Sequence, residues 1–182
     1  MEHKIDRLYG LPELVLERIL SFIPLKKILQ LTTLSKRWQN VWFLFPILEI
    51  NEDVVRSEDF NSFVEKSLLS CYRQKLSLDK FELIMNIDES YHTLMNRWIG
   101  DAIEINVKEL NLYIHLYPHK YYLQVPDSVV AAKSITELRL WGCKFEPFHR
   151  DIDLPCLKSL VLVEALMDDQ ILQTLIAGCA LL

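Results

Sequence analysis

The sequence predicts an α/β fold in which a three-helix N-terminal module precedes a short, irregular solenoid of strand-then-helix repeats with parallel strands. Three observations carry that expectation. Helical spacing and proline punctuation fill residues 11–45, and the pattern apolar-x-x-apolar-x-apolar recurs five times from Phe45 onward. Leucine supplies 32 of 182 residues, about twice an ordinary share, which points to repeated leucine positions. With 51% hydrophobic and 25% charged residues, the chain can bury a core and does not have the composition of a disordered segment.

The first helix opens at Pro12, whose missing N–H costs nothing in a first turn, and stops after Ile23 at Pro24. Val15, Leu16, Ile19, Leu20, Phe22 and Ile23 span an arc of about 160° at 100° per residue, wider than the stripe needed to pack on one core. Two apolar surfaces of this helix therefore need covering. A second short helix carries Leu25, Ile28, Leu29 and Thr32; on a third, Leu34, Trp38, Val41, Trp42 and Phe45 share one stripe. Such a small module is near the lower limit for independent stability, so its apolar faces are expected to meet a neighbouring domain and another protein.

The five triplets are Phe45-Leu48-Ile50, Leu78-Phe81-Leu83, Val107-Leu110-Leu112, Ile135-Leu138-Leu140 and Leu157-Leu160-Leu162. Their last positions advance by 33, 29, 28 and 22 residues, an irregular series that brackets the leucine-rich-repeat period at its short end. The fourth unit continues into Cys143 and Phe145, and Asn86 holds the place equivalent to Cys143 three residues after Leu83. A side chain there is expected to bond unpaired backbone groups at the turn. Between triplets, Phe60, Phe63, Val64 and Leu68 have helical spacing, as do Leu94, Trp98 and Ala102, then Ile171, Leu172, Leu175, Ile176 and Cys179. Units of this kind bury their apolar sides only by stacking, and this array is expected to be cut short at Leu182 without a polar cap. The domains are therefore read as 7–47 and 48–182.

The formal net charge is −5, from 20 Lys+Arg against 25 Asp+Glu, with no basic stripe, so nucleic acid is excluded as the main ligand. The N-terminus lacks the apolar core of a secretory signal and no window reaches 18 apolar residues, which argues against membrane insertion. Cys71, Cys143, Cys156 and Cys179 are widely spread, without disulfide or zinc spacing, and read as buried thiols. His115 and His119 have HxxxH spacing, but Pro118 and four nearby tyrosines argue for strand and loop over a metal-bearing helix. Asp168-Asp169 before an apolar run reads as a helix cap. No phosphate loop, nucleophile elbow or Cys/His pairing appears. The expectation is a non-enzyme with no catalytic residues, cofactor or metal.

Leu11-Pro12-Glu13-Leu14, Ile19-Leu20-Ser21-Phe22-Ile23-Pro24, Leu34-Ser35-Lys36-Arg37-Trp38 and Trp42 together resemble an F-box, in the variant of plant F-box/leucine-rich-repeat proteins. Asn96-Arg97-Trp98-Ile99, Val107-Lys108-Glu109-Leu110-Asn111-Leu112, Leu154-Pro155-Cys156-Leu157-Lys158-Ser159-Leu160 and Leu175-Ile176-Ala177-Gly178-Cys179 resemble later stretches of the same family. Many members continue through more repeats and often a C-terminal FBD domain, so by this resemblance the chain is C-terminally short.

The resemblance implies that the F-box binds a Skp-type adaptor and through it a cullin, in a nuclear or cytoplasmic ubiquitin ligase, while the repeats hold an unknown target protein. It assigns Leu11, Pro12, Leu16, Ile19, Leu20, Ile23, Pro24 and Leu29 as adaptor contacts, with packing against the repeats as the alternative for each. Trp38 and Trp42 are read as tying helix three to the first repeat. On the strands, alternation turns Glu109, Asn111 and Tyr113, then Glu137, Arg139 and Trp141, to the open face. Asn111, Tyr113, Arg139 and Trp141 are the candidate target-binding residues, the alternative being that Trp141 merely covers a sheet edge. Two further readings stand beside the substrate receptor: a decoy that occupies the adaptor and delivers nothing, and, less favoured, a small-ligand receptor.

Overall fold

The computed structural model describes residues 11, 12, 15, 18, 19, 46–53, 57–73, 75, 77–115, 121–148 and 151–179. The chain divides into two compact units, Met1–Phe45 and Pro46–Leu182. In the first, residues 15, 18 and 19 are helical, and the Val15 N–H donates to the Pro12 carbonyl at 3.0 Å, as expected for a helix opening at that proline. The second and third expected helices lie outside the described residues.

The second unit is mixed α/β. In chain order it holds β1 (Ile47–Asn51), α1 (Ser57–Arg73), β2 (Lys80–Asn86), α2 (His92–Glu104), β3 (Glu109–His115), β4 (Leu123–Gln124), α3 (Asp127–Val130), β5 (Glu137–Trp141), β6 (Cys143–Lys144), β7 (Ser159–Val163) and α4 (Asp169–Ala177). A parallel sheet takes the order β1-β2-β3-β5-β7, and β4 and β6 form a two-stranded parallel pair. Each of the five triplets expected from the sequence thus marks one strand of the main sheet.

The register explains the triplet. Leu48, Phe81, Leu110, Leu138 and Leu160 lie side by side across the strands, and so do Ile50, Leu83, Leu112, Leu140 and Leu162. Alternation turns both rows to the same face, where every member before β7 is buried. The leading residues Leu78, Val107, Ile135 and Leu157 are 0% exposed, and so form a third buried set just before the strands. Complete burial of one such side chain stabilises by roughly 1.5–3 kcal/mol, and these repeated positions take 10 of the 32 leucines, so they explain only part of the excess.

The helices close this face. On α1, Phe60, Val64, Leu68 and Cys71 are buried; on α2, Met95, Trp98, Ile99 and Ala102. Phe60 meets the Trp98 ring edge-on at 6.2 Å between centroids. The expected stripe of α2 needs correction: Leu94 is only half-buried, and Met95 and Ile99 complete the packed stripe with Trp98 and Ala102. On α4, Asp168 accepts the Ile171 N–H at 2.7 Å, the expected cap, and Ile171 and Leu175 are buried while Leu172 and Ile176 are exposed.

Helix length falls with repeat length. The 33-residue advance holds the 17 residues of α1 and the 29-residue advance the 13 of α2, but the next holds only the four of α3. In the 22-residue advance the chain runs through β6 without a helix among the described residues. Backbone pairing replaces helix packing there: Phe145 N–H donates to the Leu166 carbonyl at 2.7 Å and Leu166 N–H to that of Cys143 at 2.9 Å.

Two predictions follow from this core. Leu112→Ala, between Leu83 and Leu140, should cost about 2–5 kcal/mol in denaturant unfolding, against less than about 0.5 kcal/mol for Val161→Ala on the open face. Cys71, Cys143 and Cys179 are buried and Cys156 is exposed. Burial pushes the Cys143 thiol up to about 12 and raises those of Cys71 and Cys179. Mass spectrometry after brief maleimide treatment of the native chain should therefore find Cys156 alone modified, with the other thiols reacting only on unfolding.

Candidate functional site

The face opposite the core carries the residues that alternate with the buried rows. Its first row runs Ile47, Lys80, Glu109, Glu137, Ser159; its second runs Glu49, Glu82, Asn111, Arg139, Val161; its third runs Asn51, Ile84, Tyr113, Trp141, Val163. The face therefore changes character along the strands, from charged at their N-terminal ends to aromatic and aliphatic at their C-terminal ends.

In the charged half, Lys80 Nζ lies 2.6 Å from Glu49 and 2.9 Å from Glu82. Partial burial opposes the charge on Lys80, but the hydrogen bonds and charges of both glutamates outweigh it and hold the ammonium above its ordinary value. Arg139 pairs with Glu137 of its own strand at 2.8 Å. Asn111 Nδ2 donates to Glu82 at 3.3 Å.

Asn111 requires a correction. It points to the expected face but is 0% exposed, because its register neighbours Glu82 and Arg139 stand on either side of it. It is a buried part of this polar row and not a surface offered to a partner. Its Oδ1 has no hydrogen-bond partner. Arg139 lies one row before the aromatic positions, with a side chain 38% exposed.

The aromatic half forms a groove of about 920 Å³ at the C-terminal ends of β2, β3 and β5. Tyr113 and Trp141 are register partners, with ring centroids 6.2 Å apart and planes inclined by 49°. Trp141 is 41% exposed and its Nε1–H donates to Glu164 at 3.2 Å. Ile84, His115, Tyr122 and Leu166 line the same groove, as do Glu82 and Asn86. Asn86 departs from the expected turn role: its side chain is exposed at the end of β2, while Cys143 is buried and its Sγ–H donates to the Trp141 carbonyl at 3.6 Å.

A repeated turn builds the groove wall. Trp141 and Val163 are register partners, and the residue after each, Gly142 and Glu164, has positive φ, 71° and 51°. The left-handed turn swings the chain off the sheet, and at 164–166 it is held against β6 by the backbone bonds of Leu166. Glycine adopts this conformation freely; glutamate does so at a cost.

Leu11 and Ile19 are partly exposed and Pro12 and Val15 exposed. Leu16, Leu20, Ile23, Pro24 and Leu29 lie outside the described residues, as do Trp38, Trp42 and His119. Sequence reasoning missed Glu164 and Leu166, which sit in no triplet and reach the groove only through the turn after β7. Among the described residues no cluster of His, Cys, Asp and Glu could hold a metal ion, and no helix is long and apolar enough to cross a membrane. The groove combines ring faces, carboxylates, the His115 imidazole and aliphatic surface.

The F-box domain family matches residues 8–49, and a family described as FBD-associated F-box protein At5g56370, LRR repeats, matches residues 95–182. Curated relatives from Arabidopsis thaliana match nearly the whole chain. FBD-associated F-box protein At5g22730 is 29% identical over 97% of this chain and 38% of its own length. FBD-associated F-box protein At1g66310 is 30% identical over 100% and 40%, and F-box/LRR-repeat protein 13 is 29% identical over 98% and 40%. The chain thus spans about two fifths of the length of these relatives. No solved structure matches it.

The groove turn yields a prediction. Glu164→Gly should stabilise the chain by about 0.5–1 kcal/mol by relieving the left-handed backbone, whereas Glu164→Ala, which keeps a Cβ there, should not. Thermal or denaturant unfolding of both variants checks this.

Proposed function

We propose that this chain, which belongs to the plant F-box proteins with leucine-rich repeats of the FBD-associated type, is a non-catalytic substrate receptor of a Skp–cullin–F-box ubiquitin ligase. The F-box match at 8–49 carries the reading. In it, residues 7–47 form the three-helix F-box and bind the Skp-type adaptor, which links them to the cullin. Residues 48–182 act as a leucine-rich-repeat domain that holds the target, in the nucleus or cytoplasm. The ubiquitin chemistry takes place on other subunits.

Adaptor docking is assigned to Leu11, Pro12, Leu16, Ile19, Leu20, Ile23, Pro24 and Leu29. Each aliphatic side chain buried there contributes roughly 1.5–3 kcal/mol, from which the cost of association is subtracted. Target docking is assigned to the groove around Tyr113 and Trp141, with Arg139 beside it. The exposed Trp141, packed on a neighbouring ring and hydrogen-bonded to Glu164, supports this assignment because a held aromatic anchor loses little freedom on binding. No observation favours the decoy reading.

Ile19→Asp/Leu20→Asp should abolish co-purification with a Skp-type adaptor, since each charge would enter an apolar contact. Trp141→Ala should keep the adaptor and weaken a co-purifying target by about 2 kcal/mol or more. Circular dichroism confirms that the variants fold. Unchanged adaptor binding by a folded double variant would sink the receptor reading.

A further inference from the structure

Carboxylates outnumber cations in the groove and on the face leading into it. Among the described residues lining the groove there are two carboxylates, Glu82 and Glu164, the rings of Tyr113, Tyr122 and Trp141, the imidazole of His115, and no lysine or arginine. In the two charged rows, Glu49, Glu82, Glu109 and Glu137 face only Lys80 and Arg139. Both cations are already engaged, Lys80 by Glu49 and Glu82 and Arg139 by Glu137. Glu109 has no ion pair among the described residues.

Resting on the receptor reading, we propose that the groove takes a basic segment of the target protein, with an arginine or lysine side chain laid against Trp141 and Tyr113 and its charge met by the exposed Glu164, with Glu82, shared with Lys80, at the groove floor. Ring faces are the negative poles of the aromatic quadrupole and attract a cation. Ile84 and Leu166, on the groove wall, take the methylene stem of such a side chain. The Trp141 N–H fixes the Glu164 carboxylate in place before binding. A purely apolar occupant would strip water from the exposed Glu164 carboxylate without replacing it, and an acidic one would be repelled. Farther along the segment, a second cation would meet Glu109.

The test is fluorescence anisotropy of labelled octa-arginine, octa-glutamate and a serine–glycine peptide of equal length, titrated with the full chain. Octa-arginine should bind and the other two should not, and added salt should weaken the complex. Trp141→Ala and Glu82→Gln/Glu164→Gln should each weaken it by about tenfold or more, while Trp141→Phe should lose less than Trp141→Ala. Glu65→Gln/Glu104→Gln on α1 and α2 removes the same charge away from the sheet and should change binding by less than about twofold. If both double variants weaken binding equally, attraction is only to net charge and the inference is overturned. Absence of octa-arginine binding, or equal binding of the neutral peptide, also overturns it. The glutamine variants are isosteric, so the test stands even if Trp141→Ala does not fold. Adaptor co-purification is measured separately: its retention without octa-arginine binding removes this inference alone, whereas its loss from the unmutated chain removes the receptor reading.

Discussion

Parallel register between neighbouring strands is the constraint on which the rest of the second unit depends. Backbone hydrogen bonding fixes Leu48 beside Phe81, Phe81 beside Leu110 and Leu110 beside Leu138, and that alignment gathers leucines from distant parts of the sequence into rows. A one-residue slip of β2, β3 or β5 would turn its leucines to the open face and its glutamates into the core. The same register that builds the core therefore sets which polar residues stand together on the other side. The Glu82–Asn111–Arg139 row and the Tyr113–Trp141 pair are consequences of packing done elsewhere.

This division explains what could be read from the sequence. The triplets were legible because each strand of the main sheet obeys the same local rule, two inward residues separated by one outward residue, preceded before β2, β3, β5 and β7 by a buried anchor. The open-face position of Tyr113 and Trp141 was legible by alternation alone. Burial of Asn111 was not, because it depends on the size of Glu82 and Arg139 on strands about 28 residues away in sequence. Glu164 and Leu166 were hidden for another reason. They enter the groove through a left-handed turn, and a glutamate at φ 51° leaves no signature of the kind that Gly142 leaves at the equivalent turn. In the first unit, the helix opening at Pro12 was readable from the proline itself, and the F-box motif quoted from the sequence lies within the family match at 8–49.

The polarity of the open face has an economy of position. Charged residues occupy the rows where the strands begin, and each lysine or arginine there is matched to a glutamate within the sheet. Aromatic residues occupy the row where the strands end, beside loops that add Tyr122, Glu164 and Leu166. Parallel strands make this possible: all five end at one edge, so their final residues and the turns after them converge, whereas antiparallel strands would scatter them over two edges.

The taper of the covering helices, from 17 residues to 13 to four, also bears on how this unit comes apart. Each strand of the main sheet bonds only to its neighbours in chain order, so cooperativity is passed from repeat to repeat and not shared at once by the whole. Amides of β2 and β3, flanked on both sides, are expected to be among the most slowly exchanging of the sheet. Those of β7, an edge strand with every residue at least partly exposed, are expected to exchange faster. The groove lies across that boundary, with Tyr113 anchored in the slow region and Glu164 in the fast one, so an occupant that grips both would tie the fraying repeat to the stable ones.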